Sequence, residues 1–156
     1  MRRITKQSLD ELAATMPIVS FEEQSNSIGG SDCLLHVYST ISGFSVEDLV
    51  GRVVTGLGYN VYEKGGIEPD HILNVAYFAQ LYVTQIQADF SFNNTTGKLP
   101  NGSTLMITYN TGIRDHAVIA TNYDNSTETF TFMDPQNSIV GPIHESQVIG
   151  YFSVHN

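Results

Sequence analysis

The sequence predicts one α+β domain, with helices in its first half and an antiparallel sheet in its second. Apolar residues recur three and four apart between Cys33 and Leu81, the period of a helix, and two apart from Leu105 onward, the period of a strand. The switch occurs once, so helices and strands are segregated along the chain, which distinguishes α+β from alternating α/β architecture. At 156 residues and 41% hydrophobic content, the chain can bury one core but not two comfortable ones.

Residues 1–30 differ in character from the rest. Ser8-Leu9-Asp10-Glu11 has the form of a capping box, with Leu9, Leu12, Ala13 and Met16 on one helical face before Pro17 ends the helix. Ser20-Phe21-Glu22-Glu23 opens a second short helix that runs to Ile28 and stops at Gly29-Gly30, where glycine's access to positive φ suits a helix end. Leu34, Val37, Tyr38 and Ile41 then mark a buried helix from Cys33 to Ser42, closed by Gly43. A short helix is expected over Ser45–Val50. A longer one is expected over Glu68–Leu81, after the turn Lys64-Gly65-Gly66. Asp89 to Gly102 is rich in Asn, Thr and Gly and reads as a loop. Strands are expected over Leu105–Tyr109, Ala117–Asn122, Thr127–Met133 and Val148–Val154, with Asp124-Asn125 turning the hairpin between the second and third.

Acidic residues outnumber basic ones 16 to 7, a formal charge of -9, so a phosphate backbone is repelled and nucleic acid is excluded as a partner. One cysteine supplies neither an internal disulfide nor the paired thiolates of a structural zinc site. No apolar run approaches the roughly 18–20 residues of a membrane span, so no membrane insertion is expected. Met1-Arg2-Arg3 begins like a secretory signal, but Lys6, Asp10 and Glu11 fall where its apolar stretch belongs. His71, His144 and His155 have no metal-ligand spacing and Gly56-Leu57-Gly58 is too short for a phosphate loop, so neither metal nor cofactor is expected.

What chemistry remains rests on Cys33. A cysteine in the first turn of a buried helix stands where the dipole and unsatisfied N–H groups favour an anion. The bland alternative is a small buried hydrophobe. His116 opens a strand, open on one side and held by a packed sheet on the other, which suits a base that must keep its orientation. Asp134 ends the next strand before Pro135. If those strands form a hairpin, His116 and Asp134 lie at the same end of it, and the carboxylate can orient the imidazole. His36, one turn beyond Cys33, is expected on the helix's exposed side.

The order of Ser31-Asp32-Cys33 opening a helix, Asp115-His116-Ala117-Val118-Ile119 opening a strand and Phe130-Thr131-Phe132-Met133-Asp134-Pro135-Gln136 closing the next resembles compact bacterial papain-like cysteine peptidases. The likeness is to double-glycine peptidases that process bacteriocins and to papain-fold toxin domains, and it covers residues 31–156. It implies a papain-like fold in which Cys33 is the nucleophile, His116 the base and then the acid, and Asp134 the orienting residue, acting on a peptide or protein substrate. Asp134 is expected to be replaceable by alanine with loss of activity but without unfolding. The family usually carries an oxyanion-hole glutamine before the cysteine. The matching place here is near Ser27, with Gln24 and Asn26 close by, and Leu34 stands where glycine is common. Gln136 is a further oxyanion or orienting candidate, and Asn137 would orient the histidine should Asp134 face solvent.

Residues 1–30, ending in Gly29-Gly30, resemble a double-glycine leader of the kind removed during export by a peptidase-containing ABC transporter. That implies a secreted bacterial protein cut after Gly30; a cap whose glycines merely end a helix is the other reading, and leaves the chain cytoplasmic. Three functions stay open at this point. They are a peptidase, a deamidase or transamidating toxin using the same residues, and a non-catalytic binding module.

Overall fold

The computed structural model describes residues 32–58, 60, 67, 71–112 and 115–156. The expected leader helices, and the turn at Lys64-Gly65-Gly66, lie outside the described residues. Among the described residues, three α-helices precede and pack on a six-stranded antiparallel sheet: α1 (Cys33–Ser42), α2 (Val46–Leu57), α3 (Ile72–Phe78), β1 (Tyr82–Ile86), β2 (Thr104–Asn110), β3 (Asp115–Asp124), β4 (Thr129–Asp134), β5 (Ile139–His144) and β6 (Val148–His155). The strand order is β1-β6-β2-β3-β4-β5. No described helix is long and apolar enough to cross a membrane.

Helix α1 ends where expected, because Gly43 takes φ 81° and its N–H closes on Ser39 O. Leu35, Val37 and Tyr38 are fully buried and pack with Ala117 and Ile119 of β3. At roughly 2 kcal/mol per buried aliphatic side chain, this burial is what fixes α1 on the sheet. The Tyr38 hydroxyl donates to Ile72 O at 2.9 Å, tying α1 to the start of α3. Ser45 caps α2 by accepting from Asp48 N, and the helix runs on to Leu57, beyond the expected end at Val50. The reason is that Val53 continues the apolar row begun by Leu49, and both are fully buried; two glycines in the helix did not outweigh that packing.

Helix α3 stops earlier than expected, since Gln80 turns into the left-handed region at φ 57° and the chain leaves as β1. Strands β1 and β5 were not expected. They are the two edges of the sheet, where one-sided pairing weakens the alternation that sequence reading needs, and where Pro142 is tolerated in β5. The β3–β4 hairpin is present, with a connection over residues 125–128 in place of a tight Asp124-Asn125 turn: Asp124 pairs with Thr129, and its carboxylate accepts from Ser126.

Both faces of the sheet are buried. Helices cover Met106, Ala117, Ile119, Met133, Phe152 and Val154. The loop after β1 covers the other face with Phe90, Phe92 and Leu99, against Leu105, Ile107, Phe130 and Tyr151. This loop, expected only as polar chain, is a core element.

Candidate active site

Cys33 is the first residue of α1, and it is partly exposed. By helix geometry the first N–H groups have no partner within the helix, and the Asp32 side chain at the N-cap does not take them. His116 is the second residue of β3, and Asp134 the last of β4. Ile119 pairs with Met133, so His116 and Asp134 both lie outward of that pair, at the end of the hairpin away from its turn. There His116 Nε2 and Asp134 Oδ2 are 2.7 Å apart, with the two side chains only 2% and 1% exposed.

Asp134 is held on every side. Its Oδ1 accepts from the main-chain N–H groups of Gln136 at 2.9 Å and Asn137 at 3.3 Å, and its Oδ2 accepts from Asn137 Nδ2 at 2.7 Å as well as facing His116. Burial pushes this carboxyl up, but the hydrogen bond and charge of His116 and the donors of Asn137 outweigh it and hold the group below its ordinary range. The Tyr109 ring stands edge-on to the imidazole at 5.6 Å, walling its other side.

Burial by itself pushes His116 down. The hydrogen bond and charge of Asp134, together with the nearby Cys33 sulfur, outweigh it and lift the ring to about 9. With Nε2 committed to Asp134, Nδ1 is the nitrogen left to the thiol. It is buried and makes no hydrogen bond of acceptable geometry, although Cys33 is near enough to act on the ring. The thiol is adjacent but not aligned, as is common before substrate is bound.

The linked titrations give a signed expectation for stability. A raised histidine stabilises the fold fully below its unfolded value near 6.5, and this is lost as pH rises through about 9. A lowered aspartate stabilises above its ordinary value of 3.8 and loses that as pH falls further. The unfolding free energy from denaturant titrations should therefore be highest between about pH 4 and 6.5 and decline toward pH 9, by roughly 3 kcal/mol. His116→Gln should flatten that alkaline decline; an unchanged decline would assign it to other groups.

Cys33 and His116 line a cleft of about 400 Å³ with Leu34, Ile72 and Phe152. Its rim carries Leu73 and Ile149, which are 52% and 57% exposed. Somewhat larger concavities around Arg52 and Phe78 contain none of these three residues. Among the described residues, no group of three or more His, Cys, Asp or Glu is gathered to hold a metal ion.

The remaining candidates separate. Gln136 is not turned into the cleft as an oxyanion donor, for its Nε2 donates to Asp32 Oδ1 at 2.7 Å. His36 Nε2 lies 3.5 Å from Asp32 Oδ2, so it pairs with the N-cap. Ser27, Gln24, Asn26, Gly29 and Gly30 lie outside the described residues. Asn137 was expected only as a substitute for Asp134, and Tyr109 not at all. A signal for Asn137 existed, since an aspartate followed by proline and amide residues favours a turn in which the carboxylate collects local N–H groups.

No protein-family description matches the sequence, and no curated protein does. Among solved structures, the chain is similar to the N-terminal peptidase C39-like domain of the toxin secretion ATP-binding protein from Vibrio parahaemolyticus. The match has a TM-score of 0.52 at 19% identity and covers 80% of this chain and 97% of that one. The fold is that of a papain-like C39 peptidase domain. At this identity the likeness concerns the fold, and the chemistry has to be argued from the side chains.

Proposed function

We propose that the chain is a cysteine peptidase in which Cys33, His116 and Asp134 act as a triad. The observation that carries the reading is the buried His116–Asp134 pair, which leaves Nδ1 to a thiol at a helix start within an open cleft. The Cys33 thiolate attacks the carbonyl carbon of an amide, and the carbonyl electron pair moves onto oxygen. The Cys33 main-chain N–H, free by helix geometry, is a donor for that oxyanion. Collapse breaks the C–N bond while imidazolium His116 gives its proton to the leaving amine, and a thioester remains. Water then attacks, His116 takes its proton, and cleavage of the C–S bond releases a carboxylic acid and restores the thiol. Asp134 stays ionised throughout and holds the ring.

The walls of the cleft also favour a substrate class. Leu73 and Ile149 at the rim, with Ile72 and Phe152 below, would bury aliphatic side chains of a peptide next to the scissile amide. Reading residues 1–30 as a removable leader, with export through a leader-cleaving transporter, belongs to the same proposal. It is supported by the glycine pair.

The deciding experiment incubates the protein with a peptide mixture and assays both new amino termini and ammonia. New termini next to aliphatic residues are expected. Ammonia without chain cleavage would indicate a deamidase, and neither product together with no iodoacetamide labelling of Cys33 would indicate a binding module.

A further inference from the structure

Gln136 makes two bonds that no other residue in the site makes together. Its main-chain N–H donates to Asp134 Oδ1 at 2.9 Å, and its side-chain Nε2 donates to Asp32 Oδ1 at 2.7 Å, across 104 residues of sequence. Asp32 is the N-cap of α1, next to Cys33; Asp134 is the partner of His116. We infer that Gln136 is a positioning residue, a strut that sets the distance between the nucleophile's helix and the histidine–aspartate pair. The inference rests on the peptidase reading above.

The need for a strut follows from the architecture. The thiol is carried by a helix and the imidazole by a strand, and the packing that joins those elements is apolar. Ala117 and Ile119 of β3 contact Leu35, Val37 and Tyr38 in one cluster. Such contacts fix the spacing of the layers but have no directionality, so they leave the helix start free to slide by fractions of an ångström. A hydrogen bond between a carboxylate and an amide is short and directional. Asp32 would ordinarily cap its own helix, yet its side chain makes no capping bond. Its Oδ1 goes to Gln136, and its Oδ2 lies beside His36. The helix therefore forgoes its own cap for a cross-link to the turn that holds Asp134. That choice also leaves the first N–H groups of α1 available to an oxyanion, so the strut and the vacant cap are one arrangement.

Reversing the polarity of the bond tests this. Gln136→Glu sets two carboxylates against each other and should lower kcat and the iodoacetamide labelling rate of Cys33 at neutral pH. A misplacement near 1 Å costs on the order of a hundredfold in rate. KM should change little, because Gln136 does not line the cleft. Asp32→Asn alone should be mild, since its amide oxygen can still accept from Gln136. The double variant Asp32→Asn with Gln136→Glu restores a bond with donor and acceptor exchanged, and should recover most of the lost rate. Thermal melting of all four proteins checks folding, and ring NMR of His116 checks that its bond to Asp134 persists.

Recovery by the double variant without a matching change in melting temperature is the expected result. Full activity in Gln136→Glu, or a double variant no better than that single one, overturns the strut. Wild-type labelling that His116→Gln leaves unchanged would overturn the peptidase reading and the strut together. His116-dependent labelling with no effect of Gln136→Glu overturns the strut alone.

Discussion

Cys33→Ala is expected to reduce amide hydrolysis by on the order of 10⁴-fold or more while leaving the fold in place. The rate loss is large because the proposed route forms a bond to Sγ, and no other side chain of the cleft offers a comparable nucleophile. The stability change should be small, within about 1 kcal/mol, because only a partly exposed sulfur is removed and the apolar burial that anchors α1 is untouched. His116→Gln should cost a similar factor, since the thiol loses both its proton acceptor and the charge that stabilises its ionised form. The informative protein is the double variant. Residues that act as one unit are not additive, so Cys33→Ala with His116→Gln should hydrolyse no more slowly than either single variant. Each kcat/KM is measured on the best peptide from the mixture experiment. A Cys33→Ala protein that keeps a tenth of the activity, or a double variant slower by the product of the two factors, would remove the triad from the mechanism.

Much of this arrangement was legible because it depends on local rules. The alternation around Asp124 gave the β3–β4 hairpin, and a hairpin brings its outer ends together whatever the rest of the fold does. That is why the strand-mouth histidine and the strand-end aspartate could be placed side by side from spacing. The cysteine at a helix start followed from Leu34, Val37, Tyr38 and Ile41 in the same way. What escaped depends on contacts distant in sequence. Strands β1 and β5 exist because an edge was available to pair with, and neither Tyr82–Ile86 nor Ile139–His144 carries a strong alternation of its own. The loop after β1 became core because the sheet needed a second cover for Phe130 and Tyr151. Gln136 was noticed as an oxyanion or orienting candidate, but the bond its side chain makes was not foreseen. Its partner lies 104 positions away, and nothing in the local sequence distinguishes an amide aimed at a cleft from one aimed at a helix cap. The oxyanion question is of the same kind. The upstream candidates Gln24, Asn26 and Ser27 lie outside the described residues, and the proposed donor, the Cys33 main-chain N–H, carries no side-chain signature that a sequence could display.

Asp134 separates catalysis from stability in a way that two substitutions can resolve. The sequence suggested that alanine here would cost activity alone. Its surroundings require more, because Asp134 is 1% exposed and faces donors from His116, Gln136 and twice from Asn137. Asp134→Ala leaves all of them in a closed space and strips the buried imidazolium of its partner. Breaking a buried pair in this manner costs about 3–5 kcal/mol, which a domain with ordinary stability of about 5–15 kcal/mol survives in weakened form. Asp134→Asn acts differently. Its amide oxygen can keep the two main-chain donors, so urea midpoints should fall by much less. Its nitrogen, however, now faces His116 Nε2 and Asn137 Nδ2, where the native oxygen accepted. The imidazole can relieve that conflict by becoming the neutral tautomer with its proton on Nδ1, and a protonated Nδ1 cannot take a proton from the thiol. A loss on the order of 10⁴-fold in kcat is expected from this tautomer change, as known for the equivalent substitution in serine triads. The rise of His116 to about 9 should vanish too, since its leading favourable cause is the Asp134 hydrogen bond, and the alkaline decline in stability should go with it. Urea unfolding, peptide kinetics and a pH titration of the His116 ring on both variants supply the three readings. An Asp134→Asn protein that keeps more than a tenth of the wild-type rate would mean that Asp134 shapes the fold without orienting the histidine.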